Sequence, residues 1–291
     1  LSNPEFLAEG SAVKDLFKSD RVLIGGDDTE SGQKAVKALV DIYTNWIPKE
    51  KILTTNVWSS ELAKLASNAM LAQRISSINS LSALCEKTGA DIDELSKAVG
   101  MDHRIGPHFL KAPVGFGGSC FQKDILNLVY LCKHYGLDEV AEYWHQVVKI
   151  NYYQKDRFAQ KIIDHFGGDL TGKRVAILGW AFKANTNDSR NSPSIDVASK
   201  LLFCVALLKI YDPRVNSITI KKDLKLKIDE SQKNIEILNN IEISNQTNIE
   251  EEFDCLVVLT DWDEFKSLKL KTKLIFDGVR LLKNSIYKIG S

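Results

Sequence analysis

A cysteine stands among glycines at residues 115 to 124, which read Gly-Phe-Gly-Gly-Ser-Cys-Phe-Gln-Lys-Asp. The pattern predicts a loop that leads into a helix, with Ser119 as the N-cap and Gln122 as its capping-box partner. Cys120 would then be about the first helical residue, where unpaired N–H groups and the helix dipole favour a thiolate. Asp124 follows four residues later on the same face. A nucleophile, an activating field and a carboxylate within one turn are typical of covalent catalysis.

Cys120 also has a simpler interpretation, because most free cysteines are small, buried, hydrophobic residues. The glycines argue against it, since Gly115, Gly117 and Gly118 permit positive φ or a close approach of the backbone to a ligand. A buried structural cysteine requires no such loop. For Asp124, the alternative is a solvated acid in the first turn of the helix.

Two further pairs have residue types that could assist a nucleophile. Lys64 and Asn68 lie four residues apart, so they share a helical face and could stabilise an oxyanion. The alternative is a solvated polar stripe. Glu5 and Glu9 are also four apart, and one of them could be a general acid–base. The alternative for these two is a polar loop or a first helical turn.

Cations and backbone amides near the cysteine indicate an anionic ligand. The loop 111–117 offers N–H groups for a phosphate or a sugar hydroxyl. Lys183 and Arg190 follow a predicted buried strand, where α/β folds bind ligands, and they suit a diphosphate, with Asp188 bracing Arg190. A structural loop network is the alternative there. Arg104 could pair with an anion of the same or another subunit, although a surface salt bridge is the simpler interpretation.

Three segments must position these residues. Residues 1–56 alternate helices and strands, and we predict a short remnant of an N-terminal α/β domain, with too few strands to stand alone. Residues 57–167 are predicted as an all-helical central domain, because apolar residues recur there with a helical period. Residues 168–291 return to alternating strands and helices, which predict a parallel sheet and a Rossmann-like C-terminal domain.

The boundaries of individual elements follow from stop signals and periodicity. A long helix is predicted from Ser59 or Ser60 to about Lys87, and another from about Asp138 to Phe166. The stretch 216–250, rich in Lys, Asn, Ile and Glu, is predicted as a variable surface segment. No G-x-G-x-x-G follows a strand, so the dinucleotide fingerprint is absent from this sequence.

The composition excludes several classes of protein. Lys plus Arg and Asp plus Glu number 38 each, so there is no overall positive field to attract nucleic acid or anionic lipid. Five scattered cysteines favour a reducing compartment over a disulfide framework, which predicts a cytoplasmic protein. No apolar run reaches membrane-spanning length, and no ligand spacing indicates a metal site, so we expect neither a membrane span nor a metal.

Taken together, these motifs resemble the UDP-glucose 6-dehydrogenase family of the eukaryotic type. The resemblance covers nearly the whole chain. It rests on the strings at 3–10, 58–68, 115–124, 182–190 and 276–278. It implies that most of the N-terminal NAD-binding domain, with its fingerprint, lies upstream of Leu1, and that this chain alone is inactive.

The resemblance implies an NAD-dependent oxidation of UDP-glucose to UDP-glucuronate in two hydride transfers. Cys120 would hold the substrate first as a thiohemiacetal and then as a thioester. Lys64 and Asn68 would stabilise the oxyanion. Asp124 would assist proton transfer or order the water, and Glu5 would be the acid–base of the hydrolytic step.

Binding sites and partners are also implied by the resemblance. Glu9, Cys120 and Arg190 would contact NAD, and Arg104 would reach the substrate from a neighbouring subunit. The central helices would form a homo-oligomer. The remaining substrate contacts would come from Glu5, Lys64, Asn68, Lys111, Val114, Gly115, Phe116, Gly117, Phe182 and Lys183. An alternative function is a UDP-sugar-binding and dimerisation module without turnover of its own.

The sequence departs from the family pattern at two places. An arginine that contacts substrate usually follows Asp-Gly near the end, but Val279 stands there and Arg280 comes one residue later. Substrate affinity should fall if Arg280 cannot replace that contact. The turn before Leu207 usually contains glycine, whereas this chain has Cys-Val-Ala at 204–206.

Overall fold

A computed structural model of the chain describes residues 1–204, 206–231, 234–244, 252–283 and 285–291. They form a small N-terminal α/β unit, a helical middle and a C-terminal parallel sheet covered by helices. The predicted fold class is therefore confirmed. The physical basis is local, because the hydrophobic period changes from that of a strand to that of a helix at each transition.

The N-terminal unit contains helix α1 (Ala12–Phe17), strand β1 (Val22–Gly25), helix α2 (Glu30–Tyr43) and strand β2 (Ile52–Thr55). The strands β1 and β2 pair in parallel, as a β-α-β connection requires. Thr29 caps α2 by accepting a hydrogen bond from a backbone N–H of the first turn. The core of this unit is small, and it consists of Val22, Ile24, Val36 and Ile47.

The helical middle contains α3 (Val57–Thr88), α4 (Ile92–Gly100), α5 (Phe121–His134) and α6 (Asp138–His165). The two long helices thus extend close to their predicted bounds. Small alanines on α3 allow α5 and α6 to pack closely against it. Among the described residues, no helix combines the length and apolar composition needed to cross a membrane. The shared core comprises Ala69, Ala72, Phe116, Ile125, Leu128, Val129, Cys132, Ala141, Val147 and Val148.

In the described part of the C-terminal domain, six parallel strands form one sheet in the order β5-β4-β3-β6-β7-β8. Numbered along this domain, the order is 3-2-1-4-5-6, the doubly wound order of Rossmann folds. Such sheets bind ligands beyond the carboxyl ends of the strands, where the order reverses, which here is between β3 and β6. The strands are β3 (Arg174–Leu178), β4 (Leu207–Tyr211), β5 (Ile241–Ser244), β6 (Cys255–Val258), β7 (Ile275–Asp277) and β8 (Tyr287–Lys288).

The prediction of a variable surface segment over 216–250 was wrong for much of its length. Helix α8 (Ser217–Glu230) packs against α7 (Pro193–Phe203), and β5 adds an edge strand beside β4. The buried residues of α8 are Ile220, Leu224 and Ile228, which recur every fourth residue. The lysines between them concealed this helical period. Residues 232–233 and 245–250 of the segment lie outside the described residues.

Candidate active site

The glycine-rich loop before Cys120 is hydrogen-bonded to the C-terminal domain at two points. The Val114 N–H donates to the Gly278 carbonyl at 2.6 Å, and the Gly118 N–H donates to the Arg190 carbonyl at 2.8 Å. Backbone N–H groups of the central segment thus bind loops that follow strands of the sheet. The loop is a structural joint between the two domains.

Glycine is required in this loop by contacts with the protein itself. A Cβ at Gly117 would lie 2.7 Å from the Asn191 carbonyl oxygen and 2.8 Å from Phe182 Cβ, so any larger residue would collide. Gly118 has φ +84°, which favours glycine, and the Phe182 ring lies beside it. The expectation of positive φ is correct at Gly115 and Gly118, whereas the close approach at Gly117 is to Asn191 and Phe182 of the protein itself. Phe182, which the resemblance implies as a substrate contact, thus lies against this loop.

Cys120 is exposed, which removes the interpretation as a small buried hydrophobic residue. The helix geometry at this point differs from the prediction. Helix α5 starts at Phe121, and Cys120 is the N-cap residue, with no side-chain capping bond. Ser119 does not cap the helix, because the helix begins one residue later than predicted, and the Ser119 hydroxyl lies 3.6 Å from Cys120 Sγ. Gln122 donates to the Tyr152 hydroxyl at 2.8 Å, so it does not bond the Ser119 backbone N–H as a capping-box partner would.

Asp124 connects the cysteine helix to α3. Its carboxylate is only 7% exposed and accepts a 2.6 Å hydrogen bond from Asn68 Nδ2, so the interpretation as a solvated acid is wrong. One turn earlier on α3, Lys64 Nζ lies 3.2 Å from Glu5 Oε1. The structure therefore gathers Glu5, Lys64, Asn68 and Asp124 around the N-terminus of α5, where Cys120 lies.

Glu9 has partners different from those of Glu5. The segment is irregular at both acids, so the alternative of a first helical turn does not apply. The Glu9 carboxylate accepts a short hydrogen bond from the Thr186 hydroxyl, and its carbonyl accepts one from Lys183 Nζ at 2.8 Å. The Lys183 ammonium thus joins the N-terminal segment to the loop after β3. Thr186 was not predicted, and its position beyond the end of a buried strand is the signal that could have found it.

Arg190 is braced by Asp188, as predicted. The guanidinium donates to both carboxylate oxygens at 2.7 to 3.0 Å, and 65% of the Arg190 side chain remains exposed. Burial opposes ionisation of Asp188, but the hydrogen bonds and charge of Arg190 outweigh it and lower the pKa of that carboxyl. The pKa of Arg190 is raised, mainly by Asp188 and to a smaller extent by the charges of Glu9 and Cys120. Arg190 is thus an accessible cation close to the thiol.

A cavity of about 470 Å³ opens at the point where the strand order reverses. It is lined by loops that follow β3, β4, β6 and β7, and by Lys111, whose ammonium lies 3.3 Å from Asp261. Arg214, Asp261 and Lys266 were not predicted as site residues. They lie just beyond predicted strands, and that position is the signal that could have indicated them.

Backbone N–H groups of the turn after β3 bind an internal carboxylate. The Trp180 and Ala181 N–H groups donate to Asp212 Oδ2 at 2.6 and 2.9 Å. The other oxygen of Asp212 accepts from the N–H groups of Arg214 and Val215. In dinucleotide-binding folds the N–H groups of this turn bind a phosphate. Here an internal carboxylate takes the position of that anion.

Two arginines have protein partners of their own. Arg104 binds Asp102 through Nε and Nη2 at 3.0 and 2.6 Å on the surface, which matches the salt-bridge alternative within one chain. Arg280 is only 7% exposed, and it binds Asp91 at 2.8 Å and Asp93 at 2.7 Å. Arg280 is therefore committed to the start of α4 and does not replace the arginine contact that the family pattern has one residue earlier.

Val279, at that family position, is buried at 6% exposure. Of the Cys-Val-Ala turn before β4, Val205 lies outside the described residues.

Within the ranges that the structure describes, no three His, Cys, Asp or Glu side chains gather as a metal-ligand group.

The fold and the clustered side chains fit one class of nucleotide-sugar dehydrogenases. Sequence profiles of the UDP-glucose/GDP-mannose dehydrogenase family match three stretches of the chain. The NAD binding domain matches at 1–47, the central domain at 58–153 and the UDP binding domain at 176–284. The chain belongs to this family.

Relatives of the chain include two UDP-glucose 6-dehydrogenases of eukaryotes. The chain is 54% identical to UDP-glucose 6-dehydrogenase 1 of Arabidopsis thaliana, over 96% of this chain and 60% of that protein. It is 56% identical to the Mus musculus enzyme, over 97% and 59%. A UDP-glucose dehydrogenase structure from Pyrobaculum islandicum superposes with a TM-score of 0.83 at 32% identity, covering 99% of this chain and 62% of that one. The chain therefore spans about 60% of the length of these relatives.

Proposed function

We propose that the chain is the thiol-bearing and UDP-sugar-binding part of an NAD-dependent UDP-glucose 6-dehydrogenase. Such an enzyme oxidises the C6 alcohol of UDP-glucose to the carboxylate of UDP-glucuronate. The observation that carries the proposal is the exposed Cys120 at the N-terminus of α5, one turn from the bonded pair Asp124 and Asn68. Relatives named UDP-glucose 6-dehydrogenase at 54% and 56% identity support it.

The residues near the thiol fit a negatively charged dinucleotide. NAD, when bound, would accept the hydride in each of the two oxidation steps. Arg190 would pair with its phosphates or ribose, because the guanidinium is exposed and Asp188 fixes its orientation. Glu9 and Cys120 would complete the contact, and Thr186 would hold the Glu9 carboxylate in place.

Cys120 acts as the nucleophile in this proposal. Its thiolate adds to the C6 aldehyde carbon, and the carbonyl oxygen takes a proton to give a thiohemiacetal. Transfer of the hydride from C6 to the cofactor, with loss of the hydroxyl proton to a base, would then leave a thioester. Attack of water on C6 breaks the C–S bond and, with loss of two protons, releases the carboxylate and returns the thiolate.

The proposed acid–base groups contact two residues that lie one turn apart on α3. Lys64 and Asn68 would stabilise the oxyanion, since both can donate hydrogen bonds from one helical face. Asp124 holds the Asn68 amide in a fixed orientation and would order the water or assist proton transfer. Glu5 would accept the proton of that water. Its carboxylate is exposed and paired with Lys64, so it can be reached by a ligand.

The UDP-sugar would extend from the thiol to the cavity beyond β3 and β6. That cavity, of about 470 Å³, falls within the usual range for small-molecule sites. Lys111, Arg214 and Lys266 line it and could neutralise a diphosphate, and Lys183 directly precedes the lining residues Ala184 and Asn185 in the loop after β3. The sugar would lie against the loop Val114–Gly117 and Phe182.

A homo-oligomer is part of the proposal. A groove of about 1000 Å³ runs along α3 and α5 and is lined mainly by apolar side chains. Trp58, Leu62 and Tyr135 in it are 64%, 48% and 61% exposed. Exposed apolar surfaces of this kind mark protein–protein interfaces. In the assembly, Arg104 would exchange Asp102 for the substrate of the neighbouring subunit.

The test is product formation by the full-length enzyme and its variants. We expect two NADH for each UDP-glucuronate formed, and Cys120→Ser to lower acid formation by about 10³-fold or more. Cys204→Ser is the matched control, because Cys204 is half-buried and burial raises its pKa. An unchanged yield of UDP-glucuronate with Cys120→Ser would contradict the thioester route. UDP-glucose binding without any turnover would favour the binding module instead.

A further inference from the structure

One face of α6 carries three polar side chains that are buried. Asn151, Gln154 and Lys155 are only 1%, 0% and 2% exposed, and their spacing places them on the same side of the helix. Buried amides and ammonium groups are costly unless they are hydrogen-bonded, so their partners account for their presence. Lys155 is paired with Asp196 at 2.8 Å.

The two amides bind the backbone of the loop that leads to Cys120. Asn151 Oδ1 accepts from the Phe116 N–H at 2.8 Å, and Asn151 Nδ2 donates to the Phe116 carbonyl at 3.0 Å. Gln154 Nε2 donates to the Pro113 carbonyl at 3.0 Å. The buried face of α6 therefore holds this loop by its main chain rather than by side-chain packing alone.

The pair of hydrogen bonds between Asn151 and the Phe116 backbone takes the place of a neighbouring strand. Residues 113–118 belong to no strand in the described chain, yet Asn151 exchanges both an N–H and a C=O bond with Phe116, as two paired strand residues do. Loss of the amide would leave two buried backbone groups unpaired. Gly115 lies against the same amide, because a Cβ there would be 2.9 Å from Asn151 Oδ1.

Phe116 connects this amide to the N-terminus of the cysteine helix. Its ring is buried and packs edge-to-face on Phe121, with ring centroids 5.7 Å apart. Phe121 is the first residue of α5 and directly follows Cys120. A shift of Phe116 would therefore move both the loop that would contact the sugar and the helix terminus that carries the thiol.

We propose that Asn151 is a positioning residue for this reaction, acting through Phe116 on substrate affinity and on the placement of Cys120. The inference rests on the proposed function, since it assumes that the loop binds the sugar. Asn151 itself is buried behind the loop and would touch neither the substrate nor the cofactor.

The test compares Asn151→Leu with Ser76→Ala in the full-length enzyme. Ser76→Ala is the matched control, because it removes a buried 2.7 Å hydrogen bond from α3 to the Val147 carbonyl of α6 without touching the loop. We expect Asn151→Leu to raise the KM for UDP-glucose about tenfold or more. The rate of Cys120 alkylation by iodoacetamide should change about threefold or more, in either direction. Ser76→Ala should keep both within about twofold.

The proposal is overturned if Asn151→Leu keeps both the KM and the alkylation rate within about twofold of the wild type. If that variant does not fold, Asn151→Ser is scored by the same two measurements, because its shorter hydroxyl cannot bridge both Phe116 groups. A wild-type enzyme without turnover would count against the proposed function. The alkylation comparison needs no substrate and would still decide the role of Asn151.

Discussion

The two ends of α3 carry charged clusters of similar composition and very different burial. Near its N-terminus, Lys64 is 22% exposed and pairs with Glu5, which is 58% exposed. Near its C-terminus, the Glu86 side chain is 6% exposed and binds Arg157 at 2.8 Å and Lys161 at 2.7 Å. The Glu5 carboxylate of the first cluster can be reached by a ligand, whereas the Glu86 carboxylate of the second is enclosed, although Lys161 beside it is 38% exposed.

The Glu86 cluster joins the C-terminus of the chain to the central helices. Besides the two cations, Glu86 accepts from the Tyr287 hydroxyl at 2.7 Å and from the Gly290 N–H at 2.9 Å. With three donors on Oε1 and Lys161 on Oε2, the Glu86 carboxylate is committed to protein partners that stabilise the fold. The comparison teaches that burial of the carboxylate, rather than residue type, separates an ion cluster closed to ligands from one that a ligand can reach.

The largest effect on stability is expected at the buried end. Glu86→Ala leaves Arg157 and Lys161 without their shared carboxylate, and we expect the free energy of unfolding to fall by about 3–5 kcal/mol. Urea unfolding followed by circular dichroism measures it. Glu142→Ala removes an exposed carboxylate that binds Lys149, and it should leave the midpoint unchanged. Equal losses of unfolding free energy in the two variants would contradict the distinction between buried and exposed ion pairs.

At the N-terminal end of α3, where the cluster is exposed, the expected effect is on the catalytic rate. Asn68→Ala removes a proposed oxyanion donor and the partner of Asp124, and we expect kcat to fall by about 10²- to 10³-fold. The unfolding midpoint should change far less than in Glu86→Ala. Steady-state kinetics of the full-length enzyme decide this. A fall in stability with normal kcat would assign this cluster to the fold as well.

A variant of Arg280 tests whether this buried cation of the C-terminal domain takes part in binding UDP-glucose. Arg280→Met breaks its bonds to Asp91 and Asp93, and we expect a loss of about 1–3 kcal/mol in the free energy of unfolding. UDP-glucose affinity, measured by calorimetric titration, should change by no more than about twofold. A tenfold weaker affinity would show that Arg280 does serve the substrate.

The thiols extend the comparison to reactivity. Burial raises the pKa of Cys204, and it raises the pKa of Cys255 to about 12, whereas Cys120 is exposed. We expect iodoacetamide to alkylate Cys120 about tenfold faster than either in the native protein. Mass spectrometry of digested samples gives the rates, and in urea the difference should vanish. Faster labelling of Cys255 in the native state would contradict this order.

The smallest expected effect is the change with pH in the stability that the Glu86 cluster contributes. Burial opposes ionisation of Glu86, but its hydrogen bonds to Lys161 and Arg157 prevail and lower its pKa below the ordinary value of 4.5. Its contribution to stability is therefore complete above about pH 4.5 and is lost as the pH falls through the lowered pKa. The stability difference between wild type and Glu86→Gln should narrow below that pH. A constant difference from pH 7 to pH 3 would contradict the shift.

Local patterns predicted more of the fold than of the hydrogen-bond network. The bounds of α3 and the order of strands and helices follow from periodicity, which is a property of neighbouring residues. The capping role of Ser119 was wrong because the chain enters the helix one residue later, a choice that depends on how the loop is held. Helix α8 was missed since its buried isoleucines and leucine stand among lysines.

The sequence by itself determined the fold class and the family, and it singled out Cys120 as the candidate nucleophile. These rest on short-range signals: hydrophobic period, glycine positions and the types of residue beside a helix start. Only the tertiary structure decided which side chains are hydrogen-bonded to each other. Asp124 binds Asn68 across 56 positions and Arg280 binds Asp91 across 189. Such pairings depend on how whole helices pack, and no local pattern contains that information.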